Sequence, residues 1–108
     1  MPKKFISRSE EFILLAVWRL EKQAYGVSIR DQLREVTGKT WAYGALYVML
    51  NRLETKGYLT SSFTEPLPQR GGKSKRIFQL SNKGIQALES VRKVQESVWS
   101  GIKKLTAE

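Results

Sequence analysis

Residues 43–57 read Tyr43-Gly-Ala-Leu-Tyr-Val-Met-Leu-Asn-Arg-Leu-Glu-Thr-Lys56-Gly57. Stepping 100° per residue around a helix from Leu46 brings Met49, Leu50 and Leu53 within about 60° of it, which is one apolar stripe facing a core. Tyr47, Val48, Asn51 and Arg52 fall on the other side, with Gly44 and Ala45 at its N-terminal end. A phenol, an amide and a guanidinium above small residues, with almost no acid, suit a DNA groove. Asn pairs with adenine, Arg with guanine or phosphate, and Val with a thymine methyl. Tyr43 opens the helix and is counted with this set. The plainer alternative makes Tyr47 a half-buried rim residue and Arg52 a solvated cation.

Working outward, Gly57 stops this helix, and two helical patterns precede it. The first follows Ser7, whose spacing to Glu10 is that of a capping box, and runs through Ile13, Ala16, Val17 and Leu20. The second covers Val27 to Val36 on the stripe Ile29, Leu33 and Val36, with Gly38 just past its end. Downstream, Tyr58 to Thr64 and Arg76 to Leu80 read as extended. Between them Glu65-Pro-Leu-Pro-Gln-Arg-Gly-Gly72 supplies the prolines and glycines of a long hairpin loop. Arg70-Gly-Gly-Lys73-Ser-Lys75-Arg76 places four cations in seven residues, so the expected ribbon has a basic tip. Gly71 and Gly72 allow close backbone approach there, which would let Arg70, Lys73, Lys75 and Arg76 crowd against phosphates or a minor groove. From Ser81 the helical period returns through Ile85, Leu88, Val91, Val94, Val98, Ile102 and Leu105. It lasts about 24 residues, or about 36 Å at 1.5 Å per residue.

Three helices, a two-stranded ribbon and a further helix is the order of a winged helix, whose third helix enters the major groove while the ribbon lies along the backbone. The expected fold is mainly α with a small β-ribbon: a winged helix-turn-helix over residues 1–80 and a long C-terminal dimerisation helix over 81–108, forming one compact unit.

Composition narrows the function classes. The 108 residues carry 19 Lys and Arg against 10 Asp and Glu, a net charge of +9, with neither His nor Cys. Thiol nucleophiles, imidazole bases, disulfides and Cys/His zinc sites are thereby excluded, so no catalytic residue, metal ligand or cofactor is expected. The apolar stretch after Lys3 and Lys4 is only Phe5 and Ile6, too short for a signal peptide. The longest apolar run, Phe12 to Trp18, has seven residues where a span needs about 20. A cytoplasmic chain without a membrane partner is expected, and the positive charge points to a polyanion, double-stranded DNA first. RNA recognition by base stacking would need more exposed aromatics than Phe63 and Phe78 supply.

Four segments sharpen this reading: Glu11-Phe-Ile-Leu-Leu15, Ala24-Tyr-Gly-Val-Ser-Ile29, Gly44-Ala-Leu-Tyr-Val-Met-Leu-Asn-Arg-Leu-Glu-Thr-Lys-Gly57 and Arg70-Gly-Gly-Lys-Ser-Lys-Arg-Ile-Phe-Gln-Leu-Ser-Asn-Lys-Gly84. In order and spacing the chain resembles the PadR family of bacterial transcriptional regulators over roughly Glu10 to Leu88. The resemblance implies a DNA-binding regulator, typically a repressor. Members usually show Gly-Thr-Leu-Tyr-Pro in the third helix. Here Ala45 and Val48 replace the Thr and the Pro, so a Thr hydroxyl contact to DNA is lost.

Helix 1 is apolar on every face from Phe12 to Trp18, more than a monomer covers, and the terminal helix has a matching surplus. Exchange of terminal helices between two chains would resolve both, with Phe12, Leu14 and Trp18 meeting Val91, Val98, Trp99, Ile102 and Leu105 in a homodimer. In family members with a single terminal helix, the resemblance implies, this element makes the dimer. Trp99 is foremost an interface anchor. Because some small members bind flat apolar drugs between paired tryptophans, it is also the candidate ligand-pocket residue for a small-molecule effector. Trp41 is read as a core or hinge residue.

Overall fold

The computed structural model describes residues 5–65 and 74–106. Helix α1 spans Arg8–Leu20 and opens on the expected capping box: Ser7 Oγ accepts from the Glu10 N–H at 3.1 Å, and Glu10 Oε1 accepts from the Ser7 N–H at 2.8 Å. A 3-10 turn, Glu21–Gln23, leads into α2, Gly26–Thr37. Gly38 ends α2 in the left-handed region at φ 76°, its N–H donating to Arg34 O. Helix α3 covers Tyr43–Thr55, and Gly57 reverses the chain at φ 86°. Strands β1, Leu59–Phe63, and β2, Arg76–Leu80, pair antiparallel with Leu59 opposite Leu80 and Phe63 opposite Arg76. Helix α4 runs Asn82–Trp99 from a Ser81 cap. The chain therefore folds as a winged helix-turn-helix with a long C-terminal helix.

The core lies where α1, α2 and α3 meet the ribbon. Ile13, Leu14, Ile29, Leu46, Leu50, Leu53 and Phe78 are fully buried in it, and Met49 packs partly against it. The α3 stripe thus faces inward as its periodicity predicts. The ribbon is tied to the helices by a bond that no local pattern announces: the Phe78 N–H donates to Ala24 O at 2.8 Å, so the segment between the first two helices pairs along the outer edge of β2. Gly84 lets α4 start against the wing, since a Cβ there would sit 2.2 Å from Tyr58 O.

Three expectations are corrected. Helix α4 has 18 residues and stops at Trp99, with Gly101 at φ 81°; Ile102 and Leu105 lie beyond it, exposed. The apolar spacing continues past Trp99, but the Ser100-Gly101 pair turns the backbone out of the helix. Leu14, expected at a dimer interface, is fully buried in the chain's own core, and Val91 is nearly so. The side of α1 that looks outward carries Leu15 instead, 45% exposed, with Trp18 at 60%.

Candidate nucleic-acid interface

Helix α3 is held against α2 across a turn in which Lys39 and Trp41 are engaged. Arg30 reaches across it, its Nε donating to Trp41 O at 2.8 Å and its guanidinium lying 4.4 Å from the centre of the Tyr43 ring. Lys39 Nζ sits 4.7 Å over the Trp41 ring, which is itself partly buried against the core. No side chain caps the first turn of α3. Its leading N–H groups are left for an acceptor outside the helix.

Beyond that turn Tyr43, Gly44, Ala45, Tyr47, Val48, Asn51 and Arg52 all lie exposed on one side of α3. Val48 is open to solvent between the small residues and Asn51. Tyr47 is 37% exposed, and its hydroxyl rests on Gly26: a Cβ there would stand 2.3 Å from the phenolic oxygen. One edge of the ring is rim packing and the other faces out. This also explains why a glycine begins α2.

The base of the wing closes the other side of the face. Lys75 Nζ stacks 3.9 Å from the Tyr25 ring centre, drawing the strand toward the start of α2. Arg70, Lys73 and the glycine pair lie outside the described residues. Arg76, expected to be a free phosphate ligand, is turned inward. Its Nη2 donates to Glu54 Oε2 at 2.6 Å, Nη1 to Asn51 Oδ1 at 2.8 Å and Nε to Ser61 Oγ at 3.2 Å, with the guanidinium 4.7 Å over the Phe78 ring. Its side chain is only 22% exposed and its charge is offset by Glu54. In the unbound chain a carboxylate on α3 thus holds the cation that was expected at a phosphate.

Glu54, Ser61 and Tyr25 are the participants that the sequence reading missed. Glu54 was within reach, since it follows Asn51 by three residues and so shares its side of the helix. Ser61 and Tyr25 carried no such signal. The Glu54 carboxyl is held below its ordinary pKa, chiefly by the Ser61 hydroxyl, which donates at 2.5 Å; burial opposes this and Arg76 adds to it. At the far side of α3, Glu10 is also lowered. Burial raises it, but bonds from Ser7 and from Lys56 Nζ at 2.9 Å outweigh that.

Among the described residues no cluster of carboxylates could hold a metal ion, and no helix is long and apolar enough to cross a membrane.

A model of the transcriptional regulator PadR-like family matches residues 14–90. Among solved structures, the chain is similar to RosR of H. salinarum with a TM-score of 0.71 at 24% identity, covering 91% of this chain and 81% of that one. It is similar to a PadR-like transcription factor from Bacteroides fragilis with a TM-score of 0.69 at 25% identity, over 83% and 82% of the two chains. A PadR family transcription regulator from Clostridium difficile aligns with a TM-score of 0.60 at 30% identity, over 82% of this chain and 88% of that one. Curated protein sequences yield no match.

Proposed function

The chain belongs to the PadR-like family of transcriptional regulators, and from that premise we propose that it is a DNA-binding repressor that works as a homodimer, with α3 in the major groove and the wing along the backbone. The observation that carries this reading is the outward side of α3. Tyr47, Val48, Asn51 and Arg52 stand clear of the core there, and Gly44 and Ala45 leave room for a groove edge at the leading end. Charge supports it, because +9 on 108 residues favours a polyanion before any specific contact forms.

Dimerisation is argued from apolar surface left uncovered. Leu15 and Trp18 on α1 and Val94, Val98 and Trp99 on α4 are all exposed, Val98 by 69% and Trp99 by 53%. Between α1 and α2 a groove of about 550 Å³ is floored by Phe12, Ala16 and Leu33 and edged by Leu15, Trp18 and Val36. Surface of this kind on a soluble chain is characteristic of an interface. Residues 1–80 would then read DNA, and residues 81–108 would join the two protomers. A two-fold axis would set the two α3 helices about 34 to 36 Å apart, one turn of DNA.

Footprinting on the DNA upstream of the protein's own gene tests the reading. The expected result is a protected pair of half-sites one helical turn apart, with lowered transcription from the adjoining promoter in a reporter strain. Binding that is equal on all sequences would overturn it. Exposed Trp99 keeps open an effector role for flat apolar molecules, and quenching of its fluorescence together with release of the operator is the matching test.

A further inference from the structure

The amide of Asn51 is held from behind by the wing. Arg76 Nη1 donates to Asn51 Oδ1 at 2.8 Å, and Arg76 is itself fixed by Glu54 at 2.6 Å and Ser61 at 3.2 Å. The Ser61 hydroxyl, accepting from Arg76, donates in turn to Glu54 Oε1 at 2.5 Å, which closes the network. A guanidinium has donors only, so Asn51 must turn its oxygen toward β2. Its Nδ2 has no partner among the described residues.

An unencumbered Asn reads adenine by a paired contact, Oδ1 accepting from N6 while Nδ2 donates to N7. Here a charge-assisted bond already takes one of the two lone pairs of Oδ1 and holds the amide oxygen toward β2, which disfavours a second donor such as the adenine N6 amino group. The same bond polarises the amide and strengthens Nδ2 as a donor.

We infer that Asn51 is presented to DNA as a donor, with Arg76 as its positioning residue, and that it reads the acceptor-bearing guanine edge, N7 and O6, in preference to adenine. The inference rests on the DNA-binding reading of α3 and replaces the adenine contact expected from residue type alone. It also gives β2 a part in specificity without any contact between Arg76 and DNA.

Selection of bound sequences from random duplex DNA, run with the parent protein, Asn51→Ala and Arg76→Met, tests it. The base position where Asn51→Ala loses about tenfold in discrimination identifies the Asn51 contact. The parent should prefer guanine there. Arg76→Met should move that one position toward adenine and leave the others unchanged. Adenine at that position in the parent, or no position flattened by Asn51→Ala, would overturn the inference while leaving DNA binding intact. Uniformly weaker selection by Arg76→Met with the same base preference would reduce Arg76 to a structural strut and overturn its positioning role. A parent that enriches no sequence removes the DNA-binding reading itself, and this inference with it. Should Arg76→Met not fold, Glu54→Leu with Arg76→Met strands no charge and takes its place; the parent and Asn51→Ala decide the base identity in either case.

Discussion

The winged half of the molecule and its outer pair of helices are built to different standards of closure. Around Phe78 the side chains of α1, α2, α3 and the ribbon are fully buried, and the cations at the base of the wing are engaged by Glu54, Ser61 and Tyr25. On α1 and α4 the outward residues Leu15, Trp18, Val94, Val98 and Trp99 are exposed. The first region closes its own centre, and the second gathers exposed apolar side chains on two helices. In the proposed function the first part would fix a reading geometry and the second would set how many copies of it act together.

The outer helices offer the largest expected effect. Val94→Asp with Val98→Asp puts charge on the exposed stripe of α4, and in the proposed dimer a two-fold axis would count each change twice. At about 1.5 kcal/mol for each of four lost side-chain burials, dimerisation weakens by about 6 kcal/mol. Sedimentation should show a folded monomer with far-ultraviolet dichroism close to the parent's; a dimer of unchanged affinity would mean that α4 is not the interface.

The winged half is challenged next. Phe78→Ala empties the centre of its core and should cost about 3 to 5 kcal/mol in urea unfolding. If the loss is instead below about 1 kcal/mol, the winged half is not as closed as its burial indicates.

A smaller effect separates Arg76 from the lysines of the wing. In the proposed dimer, with Arg76 held by Glu54, Lys73 and Lys75 of each protomer would offer four phosphate contacts from this part of the wing, Lys75 by leaving the Tyr25 ring. Their share of the log–log salt slope is then roughly −3.6, against about −5 if Arg76 also met phosphate. Lys73→Gln with Lys75→Gln should flatten the slope of DNA binding by about that smaller amount, whereas Glu54→Gln, which frees Arg76, should steepen it.

The smallest effect is in pH. Glu54 and Glu10 have pKa values lowered by folding, so the stability they contribute is present above their unfolded values and is lost as pH falls through the folded ones. Urea midpoints should therefore decline below the ordinary carboxylate range. Glu54→Gln should remove part of that decline, and an unchanged acid limb would place its cause in other carboxylates.

The helices and the ribbon were legible because their signals are local. Ser7 with Glu10, Gly38 and Gly57 mark ends within one or two turns, and the spacing of Leu46, Leu50 and Leu53 commits α3 to one orientation. The exposed residues of α3 followed from the same spacing, since whatever does not face the core faces out. Where apolar residues filled every side, as from Phe12 to Trp18, periodicity had nothing to choose between, and packing buried Leu14 while leaving Leu15 outside. At the other end of the chain a regular spacing ran on past a backbone that leaves the helix at Ser100, ψ 128°, and turns left-handed at Gly101.

By itself, then, the sequence determined the order of elements, the inward stripe of α3 and a basic protein without the residues for thiol or imidazole chemistry. Each of these follows from neighbours a few positions apart or from composition alone. Only the tertiary structure decided that Arg76 is held by Glu54 and Asn51, residues 22 and 25 positions away. An ion pair is settled by distance in space, and a cation read along the chain carries no sign of which carboxylate the fold will bring beside it.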